Sequence, residues 1–169
     1  MSETSRPVPP AAQWQIARIV DIHDENGRAR TYRLQLERPS SHLAGQHYVV
    51  RLTAPDGYTA SRSYSVASPP VPADSPGADL IDLTVERLED GEVSGYLDGV
   101  AVVGDELEVR GPIGRWFVWR GDSPALLIGG GSGVVPLMSM LRLARNTGVE
   151  DLVRLVVSVR GPDDLLYAD

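Results

Sequence analysis

The sequence predicts a mixed fold: an N-terminal antiparallel β-barrel followed by the first βαβ unit of a parallel α/β domain. Three observations predict it. Before Gly121 the chain holds six strand-like segments separated by turn signals, with little helical periodicity. After Gly121 the pattern becomes apolar strand, glycine loop, helix, apolar strand. Hydrophobic residues make up 42% of the 169, enough for a packed core, so wholesale disorder is excluded.

The elements follow in order. Residues 1–12 are rich in proline and read as a disordered leader, and they lack the apolar stretch of a secretory signal. Residues 14–22 and 30–37 read as a hairpin across a polar turn of Asp24, Glu25, Asn26 and Gly27. His47–Thr53 is a third strand, closed by the turn Ala54-Pro55-Asp56-Gly57. A short fourth strand at 63–67 runs into a proline-rich loop. Residues 80–88 alternate polar and apolar and form the fifth strand, 93–97 a short helix, and 106–110 the sixth strand. In the second part, 125–128 is a buried strand. Val134, Leu137, Met138, Leu141 and Ala144 then recur at helical spacing. Pro136 suits the first turn of that helix and Gly148 its end. Residues 152–159 are the second parallel strand, and Asp163-Asp164 reads as a helix N-cap region.

Charge and composition exclude several functions. The net charge of −7 gives no broad positive field for nucleic acid or an anionic membrane surface. No apolar run approaches a membrane span. Without cysteine there are no disulfides, thiolate zinc sites or cysteine-held iron–sulfur clusters in these residues. A reducing compartment fits, and the expected location is the cytoplasm. His23, His42 and His47 show no metal-ligand spacing, so no metal site is expected.

Three motifs carry chemistry. Arg62-Ser63-Tyr64-Ser65 puts a cation, an aromatic face and hydroxyls on one extended stretch. Strand alternation sends Arg62 and Tyr64 to one side and Ser63 and Ser65 to the other. A planar cofactor with a phosphate tail could use the stacking face, the hydroxyl and the cation. Gly91-Glu92-Val93-Ser94 lies at a strand-to-helix junction, where free N–H groups and a serine suit a pyrophosphate. The plainer reading is that Gly91 turns the chain and Ser94 caps the helix. Gly129-Gly130-Gly131-Ser132-Gly133, with Pro136, lies between strand and helix, where glycines let a backbone approach a phosphate closely. The loop lacks Gly-Lys-Ser/Thr, which excludes a Walker A site.

Taken in order, RSYS, GEVSGYL and LIGGGSGVVPLMSMLR resemble the ferredoxin–NADP⁺ reductase superfamily of flavin oxidoreductases, as do Ala44-Gly45-Gln46 and Gly111-Pro112-Ile113-Gly114. The resemblance runs from Trp14 onward. It implies an FAD-binding barrel at 13–120 and an incomplete NAD(P)-binding α/β domain at 121–169. Arg62 would pair with an FAD phosphate, Tyr64 would stack on the isoalloxazine, Ser65 would hydrogen-bond near flavin N5, and Val85 with nearby backbone would line the ring. Tyr64 and Ser65 would thus be the catalytic pair. Gly91, Val93 and Ser94 would hold the pyrophosphate, and Gly130, Gly131, Gly133 and Pro136 would shape the NAD(P)H site. Arg160, in Ser158-x-Arg160, could accept a 2′-phosphate, and no Asp or Glu beside it favours the bare ribose. That leans towards NADPH over NADH; a solvated Arg at a strand end is the equally weighted alternative.

The implied activity is hydride transfer from NAD(P)H to FAD, then electron transfer to a separate redox carrier or small acceptor. Only two parallel strands follow Gly121, so the apolar faces of the helix and last strand should lack partners. The chain is then expected to be a truncated product, or to be completed by another chain. Two other readings stand beside the enzyme: an FAD-binding module lacking a complete nicotinamide site, and a β-barrel interaction domain without cofactor.

Overall fold

The computed structural model describes residues 12–168. The expected leader at 1–12 thus lies outside the described residues, Ala12 apart. Six strands form one antiparallel sheet: β1 (Trp14–Asn26), β2 (Ala29–Leu36), β3 (His47–Thr53), β4 (Thr59–Ser65), β5 (Leu80–Glu86) and β6 (Glu106–Ile113). Their order is β4-β3-β6-β1-β2-β5. The ends of that order meet at one bridge, Val66 to Leu83, which curls the sheet into a barrel. Alternate residues point inward. Ile19, Tyr32, Leu34, Tyr48, Val50, Ile81, Leu83 and Val109 make the core. Helix α1 (Glu92–Gly99) closes one end with Val93 and Leu97, and Tyr32 Oη donates to the Leu97 carbonyl at 2.7 Å.

Several boundaries differ from expectation, among them β5, α1 and β7 by one or two residues, and three larger differences have a visible cause. The first hairpin turns at Gly27 and Arg28, because Asp24 and Arg30 are ladder partners joined by a 2.7 Å ion pair, which keeps the polar residues in the strand. β4 starts four residues earlier than 63, in register from Thr53↔Thr59 to His47↔Ser65. Its polar residues carry no alternation to reveal them, and the strand exists because β3 pairs with it. β6 continues to Ile113 because Gly111 lies flat on the Tyr48 ring; a Cβ there would sit 2.5 Å from ring carbons.

The second unit pairs β7 (Ala125–Gly130) and β8 (Val153–Ser158) in parallel, joined through a 3₁₀ turn at Gly131–Val134 and helix α2 (Val135–Thr147). Gly148 ends α2 at φ 70°, a conformation glycine adopts freely. The expectation that the apolar face of α2 lacks partners is corrected. Leu137, Met140 and Ala144 pack on Leu127 and Val153, while Val135 packs with Ala67 of the barrel. Polar ties complete the seam: Ser139 Oγ donates to the Ser68 carbonyl at 2.7 Å, and Arg142 to the Ala67 carbonyl at 2.9 Å. His42 Nε2 lies 3.1 Å from the same Ser68 carbonyl, so that nitrogen carries the proton. The opposite face of the small sheet is bare, with Leu126, Ile128 and Val156 each more than half exposed. Among the described residues no helix is long and apolar enough to cross a membrane.

Candidate functional site

β4 is the edge strand, and its pairing fixes what it offers. The Val66 N–H donates to the Gln46 carbonyl at 3.0 Å. Residues of that parity face β3, so the outer-edge amides and carbonyls belong to Ser61, Ser63 and Ser65. Tyr64 and Arg62 stand opposite Tyr48 and Val50 on the inward side, with Ser63 and Ser65 on the other. Tyr64 is half-buried against the core, and burial pushes its phenol up to about 12, which Arg62 partly opposes. Arg62 is exposed. Its guanidinium donates to the Ser61 carbonyl at 2.7 Å, and no carboxylate lies within ion-pair distance of it among the described residues.

α1 packs against β4. Tyr58, just before the strand, donates to both carboxylate oxygens of Glu92 at 3.1 Å and also feels the charge of Arg62. Tyr58 therefore ties the helix start to the beginning of β4, which sequence reasoning missed because its partner lies 34 residues away. The expected capping by Ser94 is corrected. Gly91 is the N-cap without a side-chain cap, and Ser94 is buried. Its Oγ accepts from the Leu88 N–H at 3.2 Å and donates to the Gly91 carbonyl at 3.3 Å. Gly91 is required by space, since a Cβ there would stand 2.2 Å from Ser94 Oγ. What this junction offers an anion is thus backbone N–H groups rather than the Ser94 hydroxyl. The Val93 and Val85 side chains lie in the core, so these residues too present only backbone.

The glycine loop opens on a cavity of about 320 Å³ at the C-terminal ends of β7 and β8. Gly130, Gly131 and Arg160 line it, with Ser132 and Ser158. Gly133 and Pro136 do not; Pro136 starts α2. Gly131 has φ 51° with open space above its Cα. The barrel supplies the other wall through Arg28 and Glu86, and Asp164 reaches in from the turn after β8. Asp164 is not a helix cap. Its carboxylate pairs with Arg28 at 2.7 Å and Arg160 at 3.4 Å.

Residues 17–118 match the family model of the oxidoreductase FAD-binding domain, which spans β4 and α1 and stops before the glycine loop. The chain belongs to that family. Its sequence is 36% identical to the glycine betaine monooxygenase reductase subunit of Chromohalobacter salexigens, over 89% of this chain and 40% of that protein. It is 33% identical to the 2-halobenzoate 1,2-dioxygenase electron transfer component of Burkholderia cepacia, over 75% of this chain and 35% of that one. The fold superposes on a cytochrome P450 reductase from Amycolatopsis with a TM-score of 0.75 and 29% identity, covering 99% of this chain and 50% of that one. The chain thus spans well under half the length of the curated relatives it matches.

For a member of the FAD-binding domain family, the group to be fitted has a flat apolar ring and an anionic tail. The β4 edge fits both requirements. Tyr64 presents a half-buried aromatic face, Ser63 presents outer-edge backbone groups and Ser65 its hydroxyl, and Arg62 is a cation without a carboxylate partner on the strand that α1 packs against.

Proposed function

We propose that this chain holds FAD along β4 and α1 and is the flavin-bearing part of a reductase that draws electrons from NAD(P)H and delivers them to a separate acceptor. The observation that carries the reading is the position of Arg62: in a chain of net charge −7, its guanidinium stays free of carboxylates on the edge strand beside the start of α1. The family match and two relatives, a reductase subunit and an electron transfer component, support it.

Bound FAD would supply the redox chemistry, accepting a hydride and releasing electrons singly. The residues have other tasks. Tyr64, held neutral by burial, gives the ring a stacking face. Ser65 offers its hydroxyl at the ring edge, as the tuning residue near N5. Arg62 and the amides of Val93 and Ser94 neutralise the pyrophosphate, and Gly91, whose own N–H donates to the Leu88 carbonyl at 3.1 Å, lets the chain turn into α1 there. Gly130, Gly131, Gly133 and Pro136 shape the dinucleotide loop, with Gly130 and Gly131 at the cavity wall. We divide the chain near residue 120 into the FAD barrel and an NAD(P)-binding part, and place it in the cytoplasm, in keeping with its lack of cysteine.

The test is flavin binding by Arg62→Ala. Losing a charge-assisted pair should weaken FAD affinity roughly ten- to a hundred-fold in a fluorescence titration. Unchanged affinity would remove the phosphate assignment. A second reading, an FAD-binding module without a complete nicotinamide site, is favoured by the bare face of Leu126, Ile128 and Val156. It expects yellow protein whose flavin neither NADH nor NADPH bleaches, whereas the reductase reading expects bleaching in stopped flow.

A further inference from the structure

We propose that Asp164 makes the cavity at the ends of β7 and β8 a site for the bare ribose of NADH and turns away the 2′-phosphate of NADPH. The inference rests on the reading of the glycine loop as a dinucleotide site. It reverses the lean that Arg160 gives when the sequence is read by itself.

Four charged side chains line this cavity: Arg28, Arg160, Asp164 and Glu86. Their charges cancel. Asp164 uses one oxygen on Arg28 at 2.7 Å and the other on Arg160 at 3.4 Å, and Glu86 lies 3.5 Å from Arg28. Arg160 is therefore not a free cation awaiting a phosphate. An entering phosphate dianion would have to displace Asp164 from both guanidinium groups, or sit beside two carboxylates. A ribose diol meets no such penalty. Each carboxylate oxygen keeps lone-pair capacity beyond one guanidinium contact, so the diol can donate to Asp164 while the ion pairs persist. An acid that accepts from the ribose 2′-hydroxyl is the physical basis of preference for the unphosphorylated dinucleotide. Here the acid comes from the 3₁₀ turn Pro162–Asp164 rather than from the strand end. Arg28 holds the Asp164 carboxylate at the mouth from the barrel side.

The test is calorimetric binding of ADP-ribose and its 2′-phosphate derivative to the intact chain. Wild type should bind ADP-ribose about ten-fold more tightly. Asp164→Asn should shift the affinity ratio about ten-fold or more toward the phosphorylated ligand, whose binding should now weaken with salt. Asp164→Asn with Arg160→Gln should cancel that gain. An unchanged ratio in Asp164→Asn, or a wild-type preference for the phosphorylated ligand, overturns the proposal and leaves the dinucleotide site standing. Failure of wild type and variant to bind either ligand overturns the dinucleotide reading and this inference together. Should Asp164→Asn not fold, Arg160→Gln alone decides: an unchanged ratio supports the proposal, and selective loss of the phosphorylated ligand overturns it.

Discussion

Replacing Gly91 with alanine should expel the Ser94 hydroxyl from its seat, and the cost can be worked from three distances. The new Cβ would stand 2.2 Å from Ser94 Oγ, 3.0 Å from Leu88 Cβ and 3.3 Å from the Leu88 carbonyl. The first contact is impossible, so Ser94 must turn. It then loses two hydrogen bonds, and its buried hydroxyl is left without a partner. Together these cost about 2–3 kcal/mol. Ser94→Ala loses the same two long bonds but strands no hydroxyl, and Leu88 is exposed enough for water to take its N–H, so about 1 kcal/mol is expected. The double variant should cost less than the sum. The alanine methyl at 91 then enters the vacated space, and the Gly91 backbone, at φ −86° and ψ 102°, accepts an L-residue without strain. Urea unfolding of the four proteins should give a coupling of at least about 1 kcal/mol. Additivity within about 0.5 kcal/mol would refute the claim that Ser94 Oγ is what demands glycine at 91. The Gly91→Ala variant should also hold FAD more weakly, since the amides of α1 shift with the turn.

Other predictions follow from the same structure. Gly45 has φ 102°, and a Cβ there would meet the Phe117 carbonyl at 2.1 Å, so Gly45→Ala should cost about 2–4 kcal/mol in the same unfolding assay. Burial raises the phenols of Tyr32, Tyr64 and Tyr167 to about 12 in the folded protein. The folded state then holds protons that the unfolded chain releases above pH 10, so stability should be full below pH 10 and fall between pH 10 and 12. Of the six tyrosines, these three should ionise only as the circular dichroism is lost; phenolate absorbance of all six near pH 10 with the structure retained would contradict this. Burial lowers the His42 pKa, largely by desolvation. The unfolded chain then binds the proton more readily, so stability should decline as pH falls below 6.5, and His42→Gln should flatten that decline in thermal melts.

The order of elements was legible in the residues, because strand and helix periodicities are local. The spacing of Val134, Leu137, Leu141 and Ala144 shows α2, and the glycines before it show the loop, without knowledge of any neighbour. The three motifs were legible for the same reason: each is a short run whose chemistry sits in adjacent residues. β4 was half-hidden, since Thr59 to Ser63 carry no apolar alternation and become a strand only through pairing with β3.

The amino-acid order therefore determined the barrel, the βαβ unit and the residues able to meet an aromatic ring and an anion. Tertiary structure alone decided that the Ser94 hydroxyl faces inward, that α2 is seated against Ala67 and Ser68, and that Asp164 stands between Arg28 and Arg160. Arg28 and Asp164 are 136 residues apart. A charge pair over that separation leaves no periodic trace in the chain, because the distance between its members is set by how the barrel hairpin and the end of β8 come together.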